Sequence, residues 1–304
     1  MTAKHGDNPA MEWSFTKMHG AGNDFVVLDG LTQIIEMTPA RARAIAHRHF
    51  GVGCDQILLV DAPSDPNADF RYRIFNSDGS EVEHCGNGAR CFVRFVHERK
   101  LSARNPIRAE IATGLITLSE LDNGQVRVEM GQTRFEPADL SFDHTGLPTR
   151  VVGQDTQYGL SVDGQENPVW LSLVAISNPH AVQLVDDVSN APVTTVGPVI
   201  ERHARFAKRV NAGFMQVLDA HHIKLRVYER GAAETLACGT GACAAVASGI
   251  RQGLLQSPVQ VQTRGGELTI EWDGMTLQMT GPVTTVFEGR IDIDALVQAI
   301  PTFE

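Results

Sequence analysis

Residues 85–89 read Cys-Gly-Asn-Gly-Ala, and residues 238–242 read Cys-Gly-Thr-Gly-Ala. The two runs lie 153 residues apart in a chain of 304. Each follows strand-like sequence and leads into a helix-forming stretch, apolar over 90–98 in the first case and rich in small residues up to about Gly253 in the second. A cysteine placed there sits near a helix N-terminus, where the dipole and the free N–H groups favour negative charge. That setting predicts a thiol shifted below its ordinary range. The glycines let backbone N–H groups approach a ligand carboxylate. One such run suits equally well a tight turn around a buried packing cysteine. The repetition distinguishes the two readings.

Working outward from the cysteines, other landmarks keep the same register. Asn178 stands 155 residues after Asn23, Asn211 stands 155 after Gln56, and Glu229 stands 153 after Asn76. The turn signals Asn123-Gly124 and Asp273-Gly274 are 150 apart, each between strand-like runs, as in a hairpin. Pro39 and Pro198 are 159 apart, and each is expected to open a helix. The first of these helices should begin after the Thr38 N-cap and run to Phe50, stopping at Gly51. Strands are expected at 13–18, 24–28, 56–60 and 70–76, and again at 214–218 and 223–228. A period this long is a duplication, not a solenoid repeat. It predicts two similar α/β domains related by a pseudo-twofold axis, with two helix N-termini facing one interdomain cleft, where ligands tend to bind. Cys85 and Cys238 would then approach one small molecule from opposite sides. That is the geometry for inverting a carbon: a base takes the proton from one face and an acid delivers one to the other. Fixed N–H groups and exclusion of water must stabilise the carbanion.

The totals exclude several other classes. A net charge of −10 argues against a nucleic-acid surface, which needs clustered Lys and Arg. No apolar stretch near the start has signal-peptide length, and runs such as 57–60 are too short to span a membrane, so a cytoplasmic protein is expected. Five cysteines without a CxxC pair argue against a disulfide framework or a zinc ribbon. Cys54, Cys91 and Cys243 read as packing residues, and neither His47/His49 nor His221/His222 gives metal-ligand geometry.

Several motifs together resemble diaminopimelate epimerases: His19-Gly20-Ala21-Gly22-Asn23-Asp24-Phe25, Gly53-Cys54-Asp55-Gln56, Phe75-Asn76-Ser77-Asp78-Gly79-Ser80, Cys85-Gly86-Asn87-Gly88-Ala89-Arg90-Cys91, Ser177-Asn178-Pro179-His180, Tyr228-Glu229-Arg230-Gly231 and Cys238-Gly239-Thr240-Gly241. The resemblance runs from about Phe15 to Gly289. It implies interconversion of LL- and meso-2,6-diaminopimelate without pyridoxal phosphate or any other cofactor, in lysine and peptidoglycan precursor synthesis. By position it makes Cys85 and Cys238 the acid/base pair. Gly86, Asn87, Gly239 and Thr240 would hold the reacting end through backbone N–H groups. Asn23, Asn76, Asn211 and Arg230 would hold the distal end. Gln56, Asn178, His180 and Glu229 would complete the pocket, with His180 and Glu229 tuning the thiols. The planar fork of Arg230 suits a distal carboxylate.

The fold implied by the resemblance is α/β (α+β), with each domain a mixed sheet curled barrel-like around a central helix. The expected division is a tail at 1–12, a first domain at 13–137 and a second at 138–283, with 284–304 returning to the first. The helix at 294–300, closed by Pro301, lies beyond the matched motifs. A homodimer is the assembly suggested by the family. Two rivals stand beside this reading: a two-cysteine racemase of proline or hydroxyproline, and a thiol redox switch. Arg230 disfavours the first, because proline has no second carboxylate. The polar ladder disfavours the second, because redox chemistry does not need it.

Overall fold

A computed structural model describes residues 11–82, 86–112 and 114–301. The tail at 1–10 and Cys85 lie outside the described residues.

The first half of the chain runs β1 (Glu12–Gly20), β2 (Asn23–Asp29), α1 (Pro39–Ala46), β3 (Gln56–Asp61), β4 (Phe70–Asn76), β5 (Glu81–Val82), α2 (Gly86–Glu98), β6 (Ile107–Ile111) and β7 (Gly114–Glu120). The second runs β8 (Val126–Gln132), β9 (Thr149–Val152), β10 (Asp155–Leu160), β11 (Val169–Ala175), β12 (Pro179–Leu184), α3 (Val193–Glu201), β13 (Asn211–Asp219), β14 (His222–Glu229), β15 (Ala233–Glu234), α4 (Gly239–Arg251), β16 (Val259–Gln262), β17 (Glu267–Trp272) and β18 (Thr276–Gly281). Then come β19 (Thr284–Asp292) and α5 (Ile293–Ala299).

The two halves share one pairing pattern. In the first, β2–β3 is parallel, β3–β4 and β4–β5 antiparallel, β4–β6 parallel and β6–β7 antiparallel. In the second, β12–β13, β13–β14, β14–β15, β14–β16 and β16–β17 follow the same order of parallel and antiparallel pairs. Each parallel pair is bridged by a crossover helix: α1 and α2 in the first half, α3 and α4 in the second. Phe25 pairs with Gln56 as His180 pairs with Asn211, both 155 residues on. The duplication seen in the sequence is therefore a duplication of topology.

The helices that follow the cysteines are central. Ten of the thirteen residues in α2 and ten of thirteen in α4 are buried, which no surface helix allows. α4 packs against β11, β12, β13, β14, β17 and β18, so the strands wrap it. Its Ala-rich sequence lets them come close. α2 is anchored instead by larger side chains such as Phe92 and Phe95, each worth about 1.5–3 kcal/mol when fully buried.

Among the described residues, 11–20, 24–119 and 283–301 make one compact unit, and 21–23 and 120–282 a second. The second unit begins ahead of residue 138, because β8 pairs with β18 from Thr276↔Gln132 to Gly281↔Val126. β19 pairs along β1, from Glu12↔Asp292 to His19↔Thr284, so the chain's end lies with its beginning.

Two helix expectations need correction. α1 has the Thr38 cap and Pro39 start but ends at Ala46, not Phe50. The returning chain occupies two carbonyls that another turn would need: Gly53 N–H donates to Ile45 and Cys54 N–H to Ala46. Pro198 does not open α3 but lies inside it. The helix starts earlier, where the Pro192 carbonyl already accepts from Val196 N–H at 2.8 Å.

Candidate active site

The second unit builds the more completely described constellation. Cys238 is the N-cap of α4, with φ −111° and ψ 109°. Its Sγ accepts from Gly241 N–H at 3.4 Å and lies 3.6 Å from Thr240 Oγ1. A Cβ on Gly241 would stand 3.2 Å from that sulfur and 2.9 Å from Val227, so the third residue after the cysteine has to be small. Gly88, the equivalent in α2, would put a Cβ 2.2 Å from the Tyr72 hydroxyl. At both positions helix–sheet packing, rather than approach to a ligand, excludes a side chain.

The thiol shift is opposite to the one expected from a helix start. Burial pushes the Cys238 thiol well above its ordinary value, and the neighbouring Glu229 carboxylate adds to this by its charge and by accepting the S–H. The Thr240 hydroxyl and the Gly241 amide pull the other way and lose. The helix terminus contributes only partial charges, whereas Glu229 contributes a whole one. At neutral pH Cys238 is a thiol. Replacing Glu229 with Gln removes the like charge, so the thiol should ionise at lower pH. Alkylation of Cys238 by iodoacetamide at pH 8 should therefore speed up by about tenfold. An unchanged or slower rate would remove Glu229 from control of this thiol.

The ends of β12, β13 and β14 carry the other predicted side chains of this half. Continuing the Ala212↔Tyr228 register by one step sets Asn211 opposite Glu229. Thr235 Oγ1 donates to Glu229 Oε1. Asn211 donates through Nδ2 to the Pro179 carbonyl at 2.9 Å and accepts the Arg230 N–H on Oδ1, also at 2.9 Å. Its amide therefore braces the turn that carries Arg230. Arg230 is exposed, with Nη1 donating to the Lys208 carbonyl at 3.2 Å. His180 is buried, its Nε2 2.8 Å from Asn178 Oδ1. Burial and the positive charge of Arg230 hold the His180 pKa down at about 3, so the ring is neutral. Its buried Nδ1 has no hydrogen-bond partner among the described residues.

The first unit places its ladder in the same register. Gln56 faces Asn76 across β3 and β4, and its Nε2 donates to Asn76 Oδ1 at 2.9 Å. Asn76 Nδ2 in turn reaches Ser80 Oγ at 3.1 Å. Gly86 and Asn87 open α2 and are buried, while Asn23, which groups with the second unit, is the first residue of β2.

Sequence reading missed two ionic braces. In the first unit Asp24 takes Lys17 Nζ at 2.5 Å and Arg48 Nη2 at 2.9 Å, and Arg48 also reaches Asp55 at 2.5 Å. These contacts hold Asp24 well below the usual carboxylate range despite its burial. They tie together the residues next to Asn23 and Gln56. In the second unit Glu201, 1% exposed, accepts the Gly231 N–H at 3.3 Å and pairs with Arg202 at 3.1 Å and Arg209 at 3.4 Å. It pins the turn beyond Arg230. Adjacency in Asn23-Asp24 and Asp55-Gln56 was the available signal for the first brace. Nothing local marks Glu201. Among the described residues no group of three His, Cys, Asp or Glu side chains is placed to hold a metal ion, and no helix is long and apolar enough to cross a membrane.

The sequence profile of the family described as diaminopimelate epimerase matches residues 15–136 and 172–286. The diaminopimelate epimerase of Cupriavidus necator is 64% identical over 288 residues, covering 94% of this chain and 99% of that protein. That of Burkholderia ambifaria is 60% identical over 291 residues, covering 94% and 100%. Among solved structures, a hydroxyproline epimerase from Agrobacterium vitis with bound trans-4-hydroxy-L-proline aligns with a TM-score of 0.64 at 14% identity, over 92% of each chain. A PhzF-family phenazine biosynthesis protein from Bacillus anthracis aligns with a TM-score of 0.64 at 17% identity, over 92% of this chain and 99% of that one. At such identities these last two show a shared fold alone.

Proposed function

The chain belongs to the diaminopimelate epimerase family, and from that premise we propose that it interconverts LL- and meso-2,6-diaminopimelate, for lysine and peptidoglycan precursor synthesis, by proton transfer between two cysteines. The observation that carries the reading is Cys238 at the N-cap of a central helix, bonded to Glu229, in a half whose topology repeats the half that holds Cys85. Each half supplies one thiol and one glycine-bearing helix start. Cys238 rests as the thiol and delivers a proton. Cys85 begins as the base and takes the proton from the other face of the α-carbon. In the reverse direction the roles exchange, and Glu229 is placed to receive the Cys238 proton. Backbone N–H groups at Gly86-Asn87 and Gly239-Thr240 hold the α-carboxylate and stabilise the carbanion. Arg230, braced by Asn211 and Glu201, takes the distal carboxylate, and Asn23, Asn76, Gln56 and Asn178 fix the remaining polar groups.

The substrate assignment is tested by assaying inversion of diaminopimelate, proline and hydroxyproline side by side with protein dialysed and treated with a carbonyl reagent. Diaminopimelate alone should be inverted, at an undiminished rate. Inversion of proline would shift the reading to the fold-related racemases. Loss of activity restored by pyridoxal phosphate would overturn a reaction run by the chain's own thiols.

A further inference from the structure

One ion pair is duplicated with the same offset as the cysteines. In the first unit Arg73, on β4, forks onto Glu81 in β5, with Nε to Oε1 at 2.8 Å and Nη2 to Oε2 at 2.9 Å. In the second, Arg226, on β14, forks onto Glu234 in β15 at 2.7 and 2.9 Å through the same atoms. The arginines are 153 residues apart, and so are the glutamates. Each glutamate precedes the cysteine of its own half by four residues. β5 and β15 are only two residues long, so few backbone bonds hold them. A bidentate fork adds a directional clamp that a single charge contact lacks. The second pair is the more buried, with side chains 18% and 7% exposed, and Arg264 reaches Glu234 at 3.2 Å. Arg226 is itself anchored by the Val188 carbonyl at 3.0 Å. The clamped hairpin also carries Glu229, opposite an Ala233 held at φ 60°. An ordinary salt bridge placed for solubility has no reason to recur at matching positions ahead of both central helices.

We propose that Arg73–Glu81 and Arg226–Glu234 are positioning pairs, each aiming the cysteine that follows it, so that the loss of one pair disturbs the thiol of that half alone. The proposal rests on the reading of Cys85 and Cys238 as the reacting thiols. The test uses the full chain with Glu234→Gln, Glu81→Gln and Arg226→Lys, measuring kcat, KM and the alkylation rate of each cysteine by peptide mass spectrometry. A misaimed reacting group should lower kcat by roughly tenfold to a hundredfold, with KM changed by less than about threefold. Glu234→Gln should change the alkylation rate of Cys238 and leave that of Cys85 unaltered, and Glu81→Gln should do the reverse. Arg226→Lys keeps the charge without the fork and should follow Glu234→Gln. Should Glu234→Gln fail to fold, Arg226→Lys and Glu81→Gln carry the same comparison. Glu271→Gln, which breaks the half-buried Arg127–Glu271 pair of the same unit, is the control and should change nothing. Alkylation rates that stay constant, or that shift together at both cysteines, would overturn the proposal, as would a rise in KM with kcat intact. If Cys238→Ala kept its turnover, the reading of the thiols would fail, while the half-specific alkylation pattern would still judge the pairs.

Discussion

Cys238→Ser loses epimerisation by at least about a thousandfold while the chain stays folded, because the substitution separates proton transfer from capping. Serine is a good N-cap, and its oxygen can take the Gly241 N–H that the sulfur now accepts at 3.4 Å. Helix α4 therefore keeps its start. What is lost is the sulfur acid itself, since in the same surroundings a serine hydroxyl ionises far less readily than a thiol. Cys238→Ala also removes the cap, at about 1 kcal/mol, so the serine variant is the cleaner probe. Cys85→Ser should be as inactive if the two halves share the work. Activity and thermal midpoint are measured together. Turnover within tenfold of wild type in either serine variant would make that cysteine a packing residue.

Arg230→Lys should lower kcat/KM for diaminopimelate by about a hundredfold, or roughly 2.7 kcal/mol of transition-state stabilisation. The charge survives, but the planar fork does not. The turn that presents Arg230 is heavily braced: Asn211 takes its N–H at 2.9 Å, and buried Glu201 takes the next. That bracing is hard to account for if the side chain is a surface charge, whose pairing is worth about 0–1 kcal/mol. A held distal end fixes where the reacting carbon lies, so the loss should appear in kcat as well as KM. Wild-type kinetics in the lysine variant would remove Arg230 from the site.

The sequence displayed what is local or repeated. The register of the Cys-Gly motifs, Gln56 with Asn211 and Asn76 with Glu229 anticipated the matching order of strands, because a shared offset survives only if the intervening elements match. The Thr38-Pro39 helix start was legible for the same local reason. Through-space effects were not. The helix start at Cys238 argued for a depressed thiol, and only the structure shows burial and Glu229 reversing the sign. The pairing of β8 with β18 joins residues more than 140 apart in the chain, so the Pro137 stretch looked like a boundary when the division falls at Ser119. Pro198 read as a helix start because Pro39 was one, yet in α3 the Pro192 carbonyl begins the ladder. Glu201 has no neighbouring motif and is recognisable only from what it touches.

The most direct test of two thiols acting on opposite faces is isotopic. The reaction is run in deuterated water to low conversion, from LL and from meso diaminopimelate in turn, and both stereoisomers are analysed by mass spectrometry. With two thiols, the proton delivered comes from a group other than the one that abstracts, and thiol protons exchange with solvent between turnovers. Product from either direction should therefore carry one solvent deuterium at the inverted carbon, while recovered substrate carries almost none. Product that retains the original proton, in either direction, would mean that a single group both removes and returns it, and would contradict the two-thiol account.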